Sequence, residues 1–295
     1  MNYKEKNIQI WVEDMESYKL LDSGEKEKLE EINGQKIVRA EPRAWWNKKI
    51  ESSKYSVVKE EQKKGFETII NIGIGDIKAK IKFKNTSKHI GIFPEQMPQW
   101  LFIKEKIKKN PSPTPPLGGG ARGGVRILNL FGYTGIASLV AAQSGAKVTH
   151  VDASKQSVNW ARENQKLSGL ENAPIRWIVD DVLKFIKKEV KQGKKYDAII
   201  MDPPSYGKGP KGEIWKIEEK LPELLKSCRE ILSNEPLFVI FNMYSTELSS
   251  LSVANLLADM TKGLEGKISV GELAIKEQNS NRLLPMSIFA LWDAQ

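Results

Sequence analysis

Cysteine is nearly absent from this sequence, because Cys228 is the only one in 295 residues. A single cysteine excludes an internal disulfide and a cysteine-based zinc cage, and it fits a reducing compartment. Apolar runs are short, and none reaches the roughly 18 residues that a membrane span requires. The first residues also lack the apolar core of a secretory signal peptide. We therefore expect a cytoplasmic protein with no membrane association and no bound metal.

Acidic residues are outnumbered by basic ones, 37 against 46, which gives a formal charge of +9. This charge favours a polyanionic partner such as RNA, although lysine spread along a whole chain also reflects codon usage. Hydrophobic residues make up 40% of the sequence. At this length they can form one full core and a second, smaller one, so we expect one large domain or two unequal ones.

Side chains that could build a core are scarce between residues 111 and 124, where prolines give way to glycines. This composition predicts an irregular linker between a small domain at residues 1–110 and a larger one at residues 125–295. Arg122-Gly123-Gly124 resembles an RNA-binding arginine–glycine element. One copy is weak support for that role, and a flexible connection explains the segment better.

Alternation with a period of two marks the segment before the linker. Between residues 77 and 84, apolar side chains (Ile77, Ala79, Ile81 and Phe83) alternate with four lysines. This pattern predicts a strand with one buried face, and we expect the N-terminal part to be rich in β-structure. The lysine face could contact phosphates, but solvation is the commoner role of such a face.

Strand and helix patterns alternate after the linker. We predict strands at Val125–Leu130, Val148–Val151, Ile175–Val179, Ala198–Met201 and Leu237–Phe241, and helices at Gly135–Gln143, Ser154–Leu167, Val182–Val190, Ile214–Leu232 and Ser249–Met260. This order is typical of a doubly wound parallel sheet. Two further strands, Lys267–Ile275 and Met286–Trp292, predict an antiparallel hairpin that closes the sheet.

Ligands of such sheets lie beyond the carboxyl ends of the strands, and the turn after the first strand forms one wall. That turn contains Gly132 and Gly135, which permit close backbone approach. They do not complete the G-x-G-x-x-G pattern that cradles a pyrophosphate. The sequence therefore favours a nucleoside cofactor without phosphates over a nicotinamide dinucleotide.

Acidic residues follow the second and third predicted strands. Asp152 lies about 20 residues after the glycine turn, where a carboxylate can accept hydrogen bonds from ribose hydroxyls. Asp180 and Asp181 end the next strand, where they could contact an adenine. Helix N-capping is the alternative for each acid. Three acids at consecutive strand ends suit a nucleoside that carries positive charge.

A carboxylate, two prolines and an aromatic ring follow the fourth predicted strand, as Asp202, Pro203, Pro204 and Tyr206. The prolines restrict the backbone and the ring can stack on a planar substrate. An ordinary exit from a strand into a loop is the alternative, since Asp and Pro often end strands. We predict that these four residues form the catalytic platform.

Together these motifs resemble class I S-adenosylmethionine-dependent methyltransferases. The segments at residues 129–135, 151–155, 181–182 and 202–206 are similar to the bacterial large-subunit ribosomal RNA methyltransferases that act on cytosine C5 or guanine N7. Gly91-Ile92-Phe93-Pro94-Glu95-Gln96 is similar to an uncharacterised branch of that group. The resemblance covers about residues 90 to 295, and it is specific for fold and cofactor but not for substrate.

The resemblance implies a Rossmann-like, seven-stranded methyltransferase sheet and S-adenosyl-L-methionine as cofactor. It places Phe93 and Gln96 near the cofactor, the two glycines beneath its methionine part, Asp152 on its ribose and Asp181 near its adenine. The complete set of cofactor-binding residues expected on this basis is Phe93, Gln96, Asn129, Phe131, Gly132, Tyr133, Thr134, Gly135, Asp152, Ala153, Ser154, Asp180, Asp181, Val182 and Asp202.

A missing cysteine argues against cytosine C5 as the acceptor atom and leaves ring or amino nitrogens open. Enzymes that methylate cytosine C5 add a cysteine thiolate to C6, and the similar cytosine-specific proteins carry cysteines after the fifth strand. Here that segment contains Asn242 and Tyr244 but no cysteine. A base nitrogen is the favoured acceptor, with Asp202 and the Pro203 carbonyl accepting its N–H bonds and Tyr206 stacking on the base. Ser205 separates this motif from the best-known amino-methylating pattern, Asp-Pro-Pro-Tyr.

RNA methylation is therefore the leading functional hypothesis. A small-molecule or protein methyltransferase is one alternative, in which the N-terminal part would shape a narrow pocket. A noncatalytic, cofactor-binding RNA factor is another. A dehydrogenase is disfavoured by the incomplete phosphate turn and by the lack of an assignable hydride-transfer acid.

Overall fold

A computed structural model describes residues 8–84, 89–110, 124–244 and 247–294 of the chain. The predicted linker, apart from Gly124, lies outside these residues, as does the Arg122-Gly123 pair. The domain boundaries at residues 110 and 125 stay a prediction. No described helix combines the length and the apolar character needed to cross a membrane.

An eight-stranded mixed sheet forms the centre of the molecule. With strands numbered in chain order, its spatial order is β1 (Ile8–Trp11), β14 (Lys267–Lys276), β15 (Leu283–Asp293), β13 (Phe238–Met243), β10 (Ala198–Met201), β7 (Arg126–Leu130), β8 (Lys147–Asp152) and β9 (Ile175–Val179). All neighbouring pairs are parallel except those that β15 makes with β13 and β14. The predicted parallel sheet with a closing antiparallel hairpin is confirmed.

The middle strands are buried on both faces. Along β10, Ala198 and Ile200 belong to one hydrophobic core, while Ile199 and Met201 belong to the other. This alternation follows from the period of two in a strand. Helices α2 (Met97–Lys109) and α3 (Ile136–Gln143) contribute to the first core, and α5 (Val182–Lys191), α6 (Ile217–Ile231) and α7 (Ser250–Met260) contribute to the second. Helix α4 (Lys155–Leu167) packs beside β8 and β9.

The order of strands reverses between β7 and β10, which lie side by side with Leu130 opposite Met201. From β7 the chain moves outward to β8 and β9, and from β10 it moves outward in the other direction to β13. The turn after β7 and the segment after β10 therefore start next to each other. A crevice at such a reversal is the usual ligand site of an open α/β sheet.

The N-terminal part is rich in β-structure, as predicted. Its elements are the antiparallel strands β2 (Tyr18–Gly24), β3 (Glu27–Ile32) and β4 (Gln35–Ala40), the helix α1 (Ser52–Glu61) and the hairpin of β5 (Phe66–Asn71) and β6 (Lys78–Phe83). The apolar face predicted for residues 77–83 is buried. On the other face, Lys80 and Lys82 form ion pairs with Glu163 of α4.

Strand β1 was not predicted, and it extends the seven expected strands to eight. It forms the edge of the sheet and pairs in parallel with β14, where Gln9 lies opposite Gly271. A Cβ atom at Gly271 would overlap the backbone of Gln9, so the pairing requires glycine there. A four-residue strand with exposed Ile8 and Ile10 carries little sequence signal on its own.

One helix boundary was predicted wrongly. Residues Ile214–Lys216 form β12, which pairs with β11 (Tyr206–Lys208) in a small hairpin, and helix α6 begins only at Ile217. The indole of Trp215 donates a hydrogen bond of 2.6 Å to the Pro204 carbonyl. This tertiary contact holds β12 in an extended conformation against the preceding turn, which overrides the local helical pattern.

Candidate active site

A cavity of about 840 Å³ opens at the carboxyl ends of the central strands. It contains many of the residues predicted for cofactor and catalysis. The predicted residues that line it are Phe93, Phe131, Tyr133, Asp152, Ala153, Ser154, Asp181, Val182, Asp202, Pro203 and Pro204. Its volume is near the upper end of the range of about 300–1,000 Å³ that is typical of small-molecule sites. It therefore offers room for more than one ligand.

The turn after β7 is a strained segment of backbone. Phe131 and Tyr133 both have positive φ angles, 56° and 51°, a conformation that is uncommon for bulky residues. Gly132 lies between them, and a Cβ atom there would collide with the ring of His150. Gly135, with φ 81°, is the N-cap of helix α3, and a Cβ atom there would lie 2.8 Å from that of Ala161. The two glycines thus support the wall formed by their aromatic neighbours.

Asn129 and Thr134 lie behind this turn instead of lining the cavity. The Asn129 amide donates a hydrogen bond of 2.8 Å to Ser138, whose hydroxyl lies 3.0 Å from Nδ1 of His150. The Thr134 hydroxyl donates to the Gly91 carbonyl at 2.8 Å. Thr134 therefore connects the turn after β7 to the segment that precedes α2.

Asp152 ends β8 and faces the cavity with both carboxylate oxygens engaged by backbone. Oδ2 accepts the N–H of Tyr133 at 2.9 Å, and Oδ1 accepts that of Ser154 at 2.8 Å. Burial raises the pKa of Asp152, while the two N–H donors oppose that shift. Each oxygen keeps a lone pair for a further donor. This carboxylate is therefore held in place and can still accept hydrogen bonds from a diol.

Asp180 and Asp181 have different surroundings. Asp181 lines the cavity, and its side chain also caps helix α5 by accepting the Lys184 N–H at 3.0 Å. Asp180 does not line the cavity. Its carboxylate accepts the Asp181 N–H and forms an ion pair of 3.2 Å with Lys188. Of the two predicted acids, only Asp181 is placed to contact a ligand.

Asp202 is joined to the segment before α2 by one hydrogen bond. The Gln96 amide donates to its Oδ2 at 2.8 Å and to the Tyr244 hydroxyl at 3.2 Å. Burial raises the pKa of Asp202 to about 7, a shift that the Gln96 hydrogen bond opposes and nearby Glu95 increases. Gln96 therefore holds the carboxylate from behind, while Phe93 lines the cavity itself.

Known proteins resemble this chain in both sequence and structure. Residues 119–242 match the family model described as S-adenosylmethionine-dependent methyltransferase. The crystal structure of an S-adenosylmethionine-dependent methyltransferase from Agrobacterium tumefaciens superposes with a TM-score of 0.87 at 34% identity, covering 97% of this chain and 94% of that one. The chain belongs to the S-adenosylmethionine-dependent methyltransferases. Its cofactor is S-adenosyl-L-methionine, as the motifs implied.

Two curated relatives match part of this methyltransferase. Ribosomal RNA large subunit methyltransferase K/L of Shewanella frigidimarina is 38% identical over 45% of this chain and 18% of its own length. Ribosomal RNA large subunit methyltransferase I of Klebsiella pneumoniae is 37% identical over 35% of this chain and 24% of its own length. The chain thus spans about a fifth to a quarter of the length of these two relatives.

The residues of the cavity fit this cofactor. On the side formed by the ends of β7, β8 and β9, the described lining residues are aromatic, small or acidic, and they include no lysine or arginine. Such a surface offers nothing to a phosphate and suits a ligand with a cationic centre. The oxygens of Asp152 keep lone pairs that face this space, and Asp181 and Val182 border it. We propose these residues, with Phe93, Phe131 and Tyr133, as the cofactor subsite of the methyltransferase.

Tyr206 lies outside the cavity. Its side chain is 55% exposed on the outer face of the β11–β12 hairpin, together with Lys208, Ile214 and Lys216. Trp215 occupies the inner face, where it contacts Phe131 with a centroid distance of 4.9 Å. The Tyr206 ring, which we predicted to stack on the acceptor, therefore does not line the cavity. Pro203 and Pro204 of the same motif do line it.

Sequence reasoning missed a second side of the cavity. This side is lined by Lys28, Arg39, Glu41 and Arg43, from strands β3 and β4 and the segment after them. Met286 and Ser287 of β15 lie beside them, and the Met286 carbonyl accepts a hydrogen bond from Arg43. Glu95 lies between the two sides. Its place in the Gly91–Gln96 segment was visible in the sequence, but its burial depends on contacts across the whole chain. The N-terminal strands therefore form part of the active-site wall.

Cys228 is fully buried in α6, within the core formed with β10 and β13. Burial raises the pKa of its thiol, which keeps the sulfur protonated and unreactive. It does not line the cavity. The only cysteine of the methyltransferase thus packs as a small apolar residue.

Proposed function

We propose that this protein methylates a base nitrogen in RNA, and that the RNA is ribosomal. The observation that carries the proposal is the position of Asp202 and Pro203 at the end of β10, between the cofactor subsite and the side of the cavity lined by the N-terminal strands. An acceptor base bound next to Asp202 would contact both the cofactor subsite and the side of the cavity that the N-terminal strands line. The two curated relatives named above act on ribosomal RNA, and the net charge of +9 suits a polyanion.

A nitrogen acceptor requires little covalent help from the protein. S-adenosylmethionine, when bound, supplies a methyl group on a positively charged sulfur. The carboxylate of Asp202 and the free carbonyl of Pro203 would accept N–H bonds from an amine, orient its lone pair and exclude water. Cytosine C5 chemistry is disfavoured because it needs a thiolate, and Cys228 is sealed in the core.

The outer face of the β11–β12 hairpin provides an RNA contact next to the cavity. Two lysines, Lys208 and Lys216, flank the exposed ring of Tyr206, and Lys208 also borders the cavity mouth. Cations combined with an exposed aromatic ring are typical of surfaces that hold single-stranded RNA. We propose that this face binds nucleotides beside the target base, which would be flipped into the cavity.

Replacing Tyr206 with alanine is expected to raise KM for RNA about 5- to 50-fold, as loss of one stacking contact would. The turnover number at saturating RNA should stay within about threefold, because the ring lies outside the cavity. Steady-state kinetics with a minimal RNA substrate would test this. Tyr206→Phe is the matched control and should behave like the unaltered protein. A selective fall in kcat would instead place Tyr206 on the acceptor.

The substrate is tested by incubating the protein with tritiated S-adenosylmethionine and total RNA from a strain that lacks the gene, followed by nucleoside analysis. We expect label in one modified nucleoside of large-subunit ribosomal RNA, and none in RNA from the unaltered strain. Label that appears in protein or in small molecules, but not in RNA, would overturn the proposal. A salt-independent affinity for RNA would contradict the phosphate contacts that the charge predicts.

A further inference from the structure

Glu95 is a buried carboxylate without a hydrogen-bond partner. Its side chain is 2% exposed and lines the cavity, and neither Oε1 nor Oε2 accepts a hydrogen bond. The Tyr244 hydroxyl approaches the carboxyl without completing a hydrogen bond, and it opposes the rise in pKa that burial causes. Leaving a buried acidic group unpaired costs free energy unless a ligand completes it.

The fold fixes this carboxylate at the junction of both sides of the cavity. Glu95 occupies a single 3₁₀ turn, Pro94–Gln96, directly before α2, and Pro94 at its start restricts the backbone. The next residue, Gln96, holds Asp202. Two carboxylates thus border the place that an acceptor would occupy, and Glu95 is close enough to raise the pKa of Asp202.

Two cations, Lys28 and Arg43, lie near Glu95, but neither donates a hydrogen bond to its carboxylate oxygens. Burial raises the pKa of Glu95, and Lys28 and Arg43 oppose that shift. Lys28 lies 3.5 Å from Glu30 and 3.6 Å from Glu41, and Arg43 donates to Glu41 at 2.7 Å. Because these cations already contact other glutamates, this side of the cavity suits a neutral polar group better than a phosphate.

We propose that Glu95 selects guanine as the acceptor base, its two oxygens accepting the neighbouring N1–H and N2–H bonds. This inference rests on the proposed function, and it names the base. An ionised carboxylate offers acceptors only, in a pair that matches two parallel donors. Among the four bases, only guanine presents two adjacent N–H donors on its Watson–Crick edge. Adenine and cytosine place a donor beside an acceptor, and uracil has one N–H between two carbonyls.

Nucleotide binding tests this selection independently of catalysis. Calorimetric titration in saturating S-adenosylhomocysteine should show GMP binding at least about tenfold more tightly than AMP, CMP or UMP. IMP is the sharpest comparison, because it keeps N1–H but lacks the 2-amino group, and it should also bind at least about tenfold more weakly than GMP. Equal affinity for GMP and IMP would overturn the proposal.

Glu95→Gln should abolish the preference for GMP over IMP and lower kcat/KM for RNA about 10- to 100-fold. The affinity for S-adenosylhomocysteine should stay within about twofold, and the melting temperature should not fall, because an unpaired buried charge is removed. Glu277→Gln is the matched control. It is also a buried glutamate, but it is bonded to Ser23 and Ser280 away from the cavity, so it should lose stability and keep the GMP preference.

The methylated nucleoside separates the two proposals. A methylguanosine in RNA treated with the unaltered protein supports both. A methylated adenosine, cytidine or uridine would refute guanine selection and leave RNA methylation standing. Absence of methyl groups in RNA would refute the proposed function, and the GMP and IMP titrations would still decide whether Glu95 reads a guanine edge.

Discussion

Replacing Asp202 with asparagine is expected to lower kcat/KM about 100-fold or more while raising the free energy of unfolding at pH 8 by about 1 to 2 kcal/mol. Activity falls because an amide is a weaker acceptor than a carboxylate for the N–H bonds of the acceptor. Burial raises the pKa of Asp202 to about 7, so an ionised Asp202 at pH 8 destabilises the folded state. The uncharged asparagine avoids this cost, and stability therefore rises. A pKa shift of this size corresponds to a free-energy cost of at most about 4 kcal/mol, and contact of Asp202 with solvent in the cavity reduces that cost.

The dependence of this effect on pH has a definite sign. The folded-state pKa lies above the ordinary value, so the stabilising contribution of the protonated group is complete below about pH 4 and is lost between about pH 4 and 7. The asparagine side chain of the variant cannot ionise. The stability difference between the two proteins should therefore be small at pH 4 and complete above pH 7, which urea denaturation at several pH values would measure.

Activity should depend on pH in the opposite direction. If ionised Asp202 accepts the acceptor's N–H bonds, kcat/KM of the unaltered protein should increase with pH, with a midpoint at or below about 7, because a cationic cofactor favours the ionised carboxylate. The asparagine variant should lack this dependence. Gln96, Glu95 and Tyr244 are the groups that face the carboxylate, and none of the three would be altered in this comparison.

Asp197→Asn provides the control for this pair of measurements. Asp197 precedes the same strand β10 at its other end, far from the cavity, and forms an ion pair of 2.9 Å with Arg126. We expect unchanged activity and a loss of about 0–1 kcal/mol, as for a partly exposed ion pair. Activity of Asp202→Asn within threefold of the unaltered protein would remove Asp202 from catalysis. Unchanged stability at pH 8 would contradict the cost assigned to its burial.

Local pattern was sufficient to predict the parts of the fold whose cause is local. The apolar runs that end at Leu130, Val151 and Met201 are short, and glycine or aspartate follows each within two residues, so the type of these strands follows from neighbouring residues. Because parallel strands end at the same edge of a sheet, the turn at Gly132 and the carboxylate of Asp202 could be assigned to one site.

Three features were not predicted because each depends on contacts between residues that are far apart in the sequence or on tertiary packing. Strand β1 depends on the absence of a side chain at Gly271, more than 250 residues away in the sequence. The extended conformation of β12 depends on the hydrogen bond from Trp215 to Pro204. The burial of Glu95 depends on packing that no window of sequence contains. Tertiary contacts override local propensity in each case.

Asn129, Thr134 and Gly135 illustrate a different limit. Motif similarity grouped them with the cofactor-binding residues, but the described structure places them behind the wall, where Thr134 holds Gly91 and Asn129 supports Ser138. A motif combines residues that contact a ligand with residues that shape the loop. Sequence alone cannot separate the two, because both are needed for the same cavity.

Asp152→Ala is expected to weaken binding of S-adenosylhomocysteine about 100-fold or more. The variant removes the proposed acceptor of the ribose hydroxyls. It also leaves the N–H groups of Tyr133 and Ser154 without their partner, which loosens the strained turn beside it. Both effects act on the cofactor subsite, and isothermal titration calorimetry measures their sum.

Asp180→Ala is the matched control, since Asp180 also follows a strand of the same sheet but points to Lys188 and does not line the cavity. Its affinity for S-adenosylhomocysteine should stay within about threefold, with a stability loss of about 0–1 kcal/mol. Asp152→Asn distinguishes the two causes of the larger effect, because an amide oxygen can still accept one backbone N–H. We expect the affinity of the Asp152→Asn variant for S-adenosylhomocysteine to lie between those of the unaltered protein and Asp152→Ala. Equal losses for Asp152→Ala and Asp180→Ala would mean that neither carboxylate contacts the cofactor, and the subsite would have to lie elsewhere in the cavity.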